Sequence, residues 1–252
     1  MTSSPDTKKV SVEIAIPVFN EQAALPRCIE KLLKETRKEE FRNYEIALTI
    51  VNNASTDGTK AIAEKLSRRY DSVRLMNVPR KGRGGALRFC WDRSVSEILA
   101  YMDVDLSADL SHLPELLETI AGSKADIAIG SRLAKGAKVV GRTLVRELMS
   151  QGYNTLITFF FGTHFTDAQC GFKALSKQAY RTLAPLLQNQ NWLFDSEMLI
   201  TASKLGMRIK EIPVNWRDDP SSTVKIARTA GEDLAGLWRL LVTQPWKKQK
   251  KL

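Results

Sequence analysis

Two aspartates set one residue apart at the end of an apolar run carry the clearest chemical signal in this chain. Residues 99–107 read LAYMDVDLS. Leu99 to Met102 has the character of a buried strand, ending on Asp103 and Asp105 with Val104 between them. A carboxylate at a buried strand end is costly unless a cation or strong donors meet it. Two so close together also raise each other's pKa. A divalent ion shared with a phosphate relieves both costs, because magnesium favours one or two carboxylates plus substrate phosphates over an all-protein cage. Alone, a DxD more often belongs to a solvated loop after a strand; the rest of the chain has to decide.

Cationic residues are the next candidates. In PRKGRGGA, Gly82, Gly84 and Gly85 follow a strand and open a helix, and Asp103 lies about 20 residues on, which imitates a dinucleotide fingerprint. The final glycine is missing, the motif follows the third strand, and Arg80, Lys81 and Arg83 crowd it. Those bases suit the phosphates of a nucleotide or an anionic acceptor better than an NAD pyrophosphate held by backbone N–H groups. Further on, Lys135, Lys138, Arg142 and Arg146 lead into a helix on which Arg146, Ser150 and Asn154 share a face at i, i+4 and i+8. Leu144, Leu148, Leu156, Ile157 and Phe159–Phe161 make the rest of it apolar. Such a helix either lies at a membrane interface beside a lipid-phosphate acceptor or packs on its own domain. Asp195 and Glu197 open a helix, where acids favour the dipole. His112 and His164 read as turn and loop residues, which leaves no histidine as a general base.

These side chains need a frame. Strands are expected at 10–18, 45–51, 73–78, 99–102 and 125–130, alternating with helices at 22–38, 59–70, from about 86, and 113–121. That alternation predicts an α/β fold with a doubly wound, mostly parallel sheet whose ligands sit at the carboxyl ends of the strands. The expected divisions are a flexible 1–9, a domain over 10–228, and a C-terminal helix with a basic tail over 229–252. The net charge of +10 points to a polyanionic partner. A nucleic-acid-binding module would want aromatic residues interleaved with the bases, and that pattern is missing. Cys28, Cys90 and Cys170 form no CxxC pair, so reduced thiols and a cytoplasmic setting are expected. The first residues, MTSSPDTKK, lack the apolar core of a signal peptide, and no apolar run approaches the roughly 20 residues of a spanning helix. Attachment to the cytoplasmic face of a membrane is therefore expected to be peripheral, or through a membrane-anchored partner or a second copy. Trp246 beside Lys247, Lys248, Lys250 and Lys251 would suit an anionic membrane surface.

Taken in order, IPVFNE (16–21), NNASTDGT (52–59), KGRGGA (81–86), DVDLS (103–107), GSR (130–132) and DAQCGFK (167–173) resemble the inverting GT-A glycosyltransferases of family 2. More narrowly, they are similar to those that move mannose or glucose to dolichyl or polyprenyl phosphate. The resemblance runs from about residue 12 to 226. It implies a GT-A fold with a nucleotide-binding half and an acceptor-binding half. It also implies a nucleotide-sugar donor such as GDP-mannose or UDP-glucose, a polyprenyl phosphate acceptor, and Mg²⁺ or Mn²⁺ held at Asp103 and Asp105. Donor contacts carry over to Pro17, Phe19, Glu21, Val51, Lys81, Gly82, Asp103 and Val104. Asn52 and Asn53 stand where the family usually has an acidic pair, which leaves the base open. Ser107 stands where close relatives often have a glutamine near the metal. Arg132, Arg146 and Ser150 match phosphate-holding positions, and Asp167, Gln169, Arg217 and Lys225 join them toward the acceptor. A family-2 enzyme with a hydroxyl acceptor is the alternative, with Asp167, Asp195 or Glu197 as its base. A sugar-nucleotide pyrophosphorylase would want a glycine-rich loop after the first strand, where IPVFNE stands.

Overall fold

The computed structural model describes residues 8–218 and 226–249. Its centre is a seven-stranded sheet of β1 (Val10–Val18), β2 (Tyr44–Asn53), β3 (Val73–Val78), β4 (Ile98–Met102), β5 (Ile127–Ser131), β7 (Phe172–Ser176) and β8 (Ile209–Pro213). The strands lie in the order β3-β2-β1-β4-β7-β5-β8. A second, two-stranded sheet pairs β6 (Lys138–Val140) with β9 (Asn215–Arg217). Alternate residues of the central strands feed two separate cores. Ile14, Ile16, Ile98 and Ala100 face one with Leu25, Leu32 and Leu117. Ala15, Leu99 and Tyr101 face the other with Trp91, Phe194 and Met198. The first core is covered by α1 (Leu25–Glu35), α2 (Thr59–Arg69) and α4 (Leu113–Ala121). The second is covered by α3 (Arg83–Arg93), α5 (Leu144–Phe161), α6 (Lys177–Leu183), α7 (Phe194–Lys204) and α8 (Ile226–Thr243). Burial on both faces explains why β4 reads as a continuous apolar run.

The expected strands and helices are present within a few residues of their predicted bounds, and the sheet is mixed and mostly parallel. The departure is β7, which runs antiparallel between β4 and β5, pairing Met102 with Phe172 and Ile129 with Lys173. Lys173 breaks its apolar pattern and hides it from periodicity. That strand sets Gly171 against Asp103: a Cβ on Gly171 would come within 1.7 Å of an Asp103 carboxylate oxygen. Gly171→Ala is therefore expected to displace the Asp103 carboxylate and cut activity far more than it lowers the melting temperature, read by comparing kcat with a thermal melt.

The C-terminal aromatic expected at a membrane surface belongs to the core instead. Trp246, in α9 (Trp246–Gln249), is buried and meets Phe161 edge to face at 6.2 Å between ring centroids. The helix expected from 229 begins at Ile226 and sends Leu237 and Leu240 into the second core. Of the three phenylalanines of α5, Phe161 is buried, whereas Phe159 is 80% exposed and Phe160 52%. No described helix is long and apolar enough to cross a membrane. Residues 1–7, Lys225, Lys250 and Lys251 lie outside the described residues.

Candidate active site

Three neighbouring strands end in non-glycine residues forced into the left-handed region: Asn20 after β1, Ala54 after β2 and Leu106 after β4, all with φ between 53° and 58°. Such conformations cost on the order of 1 kcal/mol or more each and gather at functional edges. Here they turn the loops that carry the motifs. Asn20 is tied to the second loop, accepting from the Thr56 N–H at 2.8 Å, while its own N–H donates to Ser55 Oγ.

On the β1/β2 side, Lys81 Nζ lies 3.4 Å from the centroid of the Phe19 ring. Asn53 Oδ1 accepts from the Gly82 N–H at 2.8 Å, which pins the glycine-rich turn at the start of α3. Asn52 is turned inward as well, donating to Asn77 Oδ1 and accepting from Ser55 N–H. Both asparagines are buried, as are Val51 and Val104; Pro17, Phe19 and Glu21 are half-buried. The amide pair thus organises two loops through its side chains.

At the centre, Asp105 is exposed and accepts from the Ser107 N–H at 2.9 Å, closing a tight turn after β4. Asp103 sits deeper, its Oδ1 accepting from Arg83 Nη2 at 2.8 Å. Arg83 reaches Asp195 with its other terminal nitrogen. Asp195 is also met by the Tyr101 hydroxyl and by Lys173 Nζ at 3.1 Å. Burial alone would raise the Asp195 carboxyl; Lys173 and Arg83 bring it below the usual carboxylate range. Glu197, two residues on, pairs with Arg239 and accepts from the Gln188 and Asn189 N–H groups. The helix-dipole explanation of these acids therefore falls short. Every residue from Phe194 to Ala202 is buried, so the acids in that helix must find partners.

The donor set of Asp103 and Asp105 is two hard carboxylate oxygens at a rim, which suits Mg²⁺ or Mn²⁺. Among the described residues no group of three or more His, Cys, Asp or Glu could hold a metal. An ion here would complete its shell from phosphate and water.

On the β5 side, Asp167 is fully buried and grips Arg132 three times. It accepts from the backbone N–H at 3.0 Å, from Nε at 2.7 Å and from Nη2 at 2.9 Å. Burial raises the Asp167 carboxyl, but the guanidinium holds it below the usual range. Arg132 stacks on Trp216 at 5.0 Å, and Trp216 also walls a small cavity under the Asp103–Ser107 turn. Arg217, exposed beside it, donates its N–H to the Ser107 carbonyl. Arg146 lies 3.9 Å from Asp218, which accepts from the Trp216 indole. Ser150 is buried with its hydroxyl unmatched.

One residue here was not singled out beyond the basic stretch before α5. Arg142 has only 8% of its side chain exposed, and although Nε lies 3.1 Å from a Glu147 oxygen, neither Nε nor Nη1 makes a hydrogen bond. Burial, then repulsion from Arg132, lowers its pKa. A buried guanidinium held near a second one with donors unmet is a site prepared for an anion.

Gln169 donates to Asp233 of α8 at 3.3 Å. Burial, with Glu232 and Asp195 adding, pushes the Asp233 carboxyl up to about 6. The folded chain then holds this proton more tightly than the unfolded chain, so stability falls as pH rises through that range. Asp233→Asn should raise the melting temperature at pH 8 by about 2–4 °C, allowing for partial solvation, and leave it unchanged near pH 4. Equal shifts at both pH values would contradict the ionisation.

The comparisons agree with this geometry. The model for "Glycosyl transferase family 2" matches residues 13–184. Glycosyltransferase AglD of Haloferax volcanii is 30% identical over 240 residues, covering 94% of this chain but only 38% of that protein. A dolichyl-phosphate beta-glucosyltransferase of Trichomonas vaginalis, ALG5D, is 29% identical over 231 residues, covering 88% of this chain and 70% of that one. The crystal structure of glucosyl-3-phosphoglycerate synthase from Mycobacterium tuberculosis, in complex with Mn²⁺, UDP-glucose and phosphoglyceric acid, is alike in fold. Its TM-score is 0.66 at 18% identity, over 92% of this chain and 80% of that one. The family match runs from β1 into the turn that follows α6 and takes in the strand-end loops from Asn20 to Asp167, and on that span the chain belongs to glycosyl transferase family 2 and is a glycosyltransferase.

Proposed function

We propose that the chain transfers a hexose from a nucleotide sugar to a polyprenyl phosphate, with inversion and with a divalent metal. Glucose is the favoured hexose and UDP-glucose the favoured donor. Inversion of an α-linked donor gives the β configuration that appears in the relatives' printed names. The observation that carries the reading is the cluster of Arg132, Arg142 and Arg146, one of them buried with unmet donors, beside the strand end that bears Asp103 and Asp105.

A divalent ion at Asp103 and Asp105 would neutralise the charge that grows on the departing diphosphate. The chain's own residues do the rest. The end of β1 and the loop after it hold the nucleotide through Pro17, Phe19 and Glu21, and the loop after β3 through Lys81, with Asn52 and Asn53 fixing the loop shapes. A monophosphate with a second ionisation near about 6 is already a nucleophile at neutral pH, so the arginines orient it and no base is required. Asp167, Asp195 and Glu197, the carboxylates that a hydroxyl acceptor would need as base, are each held in buried ion pairs.

The lipid part has a surface to lie on. Leu144, Val145, Leu148, Leu156, Phe159 and Phe160 are all exposed on α5, which begins beside the arginine cluster. We place that face against an anionic membrane, peripherally at its cytoplasmic side. The three cysteines are free and buried, which suits a reducing compartment. Acceptor choice tests the reading: with UDP-glucose, UDP should be released when polyprenyl phosphate is supplied, and not with polyprenol lacking the phosphate. Equal release with both would favour the hydroxyl-acceptor enzyme.

A further inference from the structure

The Arg83 cluster is not needed to explain the arginine pocket, and its charge count is unusual for a metal site. Arg83 and Lys173 supply two positive charges and Asp103 and Asp195 two negative ones, so these four groups sum to zero, and Asp105, the other proposed ligand, brings the site to a single net negative charge. The guanidinium is fixed on every side. Tyr101 lies 5.0 Å from it and Trp192 5.2 Å, and the two carboxylates bind its terminal nitrogens. Only 9% of the Arg83 side chain is exposed. Asp103 is constrained from both ends: Oδ1 accepts from Arg83, and the carboxylate abuts the Gly171 Cα, where no Cβ could stand.

We propose that Arg83 is a positioning residue that acts as the resident cation of the metal site. It neutralises Asp103 in the empty enzyme, so that a divalent ion binds only together with the donor's diphosphate. This rests on the reading that Asp103 and Asp105 serve a divalent ion. Two positive charges brought alone gain little from Asp103 while Arg83 holds it, and Asp105 offsets only one of them. A diphosphate brings the missing negative charge and the remaining oxygen ligands. Lys173 and Tyr101 keep Asp195 in place, and Asp195 keeps the guanidinium aimed at Asp103; a lysine at position 83 would keep the charge but not the two-ended grip.

The test is a Mn²⁺ titration followed by electron paramagnetic resonance, with and without UDP, on the wild-type chain, Arg83→Gln and Arg83→Lys. The wild type should take up Mn²⁺ only with UDP. Arg83→Gln should bind Mn²⁺ without nucleotide at least about tenfold more tightly than the wild type, and Arg83→Lys, which keeps the charge without the grip, should fall between the two. Equal nucleotide-free affinity in wild type and Arg83→Gln overturns the proposal while Mn²⁺·UDP binding still supports the metal reading. No Mn²⁺ uptake by the wild type even with UDP overturns both. Should Arg83→Gln fail to fold, the ¹⁵N resonances of the Arg83 guanidinium in the wild type decide. A shift with Mg²⁺·UDP and none with Mg²⁺ alone supports the proposal, and a shift with Mg²⁺ alone overturns it.

Discussion

Asp105→Asn is expected to abolish metal-dependent transfer while leaving the fold intact. Kinetically, kcat should fall by at least about 10³-fold, the scale of losing several kcal/mol of charge stabilisation at the transition state. The melting temperature should not move, for two reasons. Asp105 is exposed, and an asparagine oxygen can still accept from the Ser107 N–H that closes the turn. Asp103 alone would leave the ion one protein carboxylate short, and its charge is already shared with Arg83. Unchanged turnover in Asp105→Asn would sink the metal assignment.

Arg142→Met is expected to raise the KM for polyprenyl phosphate by about 10–100-fold, the worth of one or two hydrogen bonds to a charged group. The KM for the nucleotide sugar should stay within about twofold. Unusually, the same substitution should raise the melting temperature. The wild-type guanidinium is buried, repelled by Arg132 and short of hydrogen-bond partners, and a methionine removes that cost while filling similar space. Arg146→Ala should act in the same direction on the lipid phosphate with less force, because Arg146 is more exposed and its contact with Asp218 is long. A variant that is destabilised and equally impaired for both substrates would mean that Arg142 is structural.

Much of this was legible in the sequence because the relevant forces are local. Fully apolar runs such as Leu99–Met102 announce strands buried on both faces, and the loops that follow β1, β2 and β4 carry their motifs in order. Most of the residues expected at the site lie at the carboxyl ends of the strands or in the loops that follow them, and Lys225 lies outside the described residues. What stayed hidden depends on partners distant in the chain. Arg83 meets Asp195 across 112 positions, and nothing near FDSE reveals that pairing. β7 was invisible because Lys173, buried with Asp195, breaks the pattern of an otherwise central strand. Ala54 and Leu106 give no composition signal for the left-handed region, where glycine or asparagine is the usual choice. Trp246 misled for a related reason: a tryptophan beside lysines looks the same whether it faces lipid or, as here, Phe161.

The most direct measurement is radiolabel transfer from UDP-glucose, with GDP-mannose in parallel, to an organic-extractable polyprenyl phosphate, with Mg²⁺ or Mn²⁺ and with EDTA. The account predicts an acid-labile labelled lipid from UDP-glucose that disappears with EDTA. No labelled lipid from either donor, in a preparation that still binds a nucleotide sugar, would contradict it.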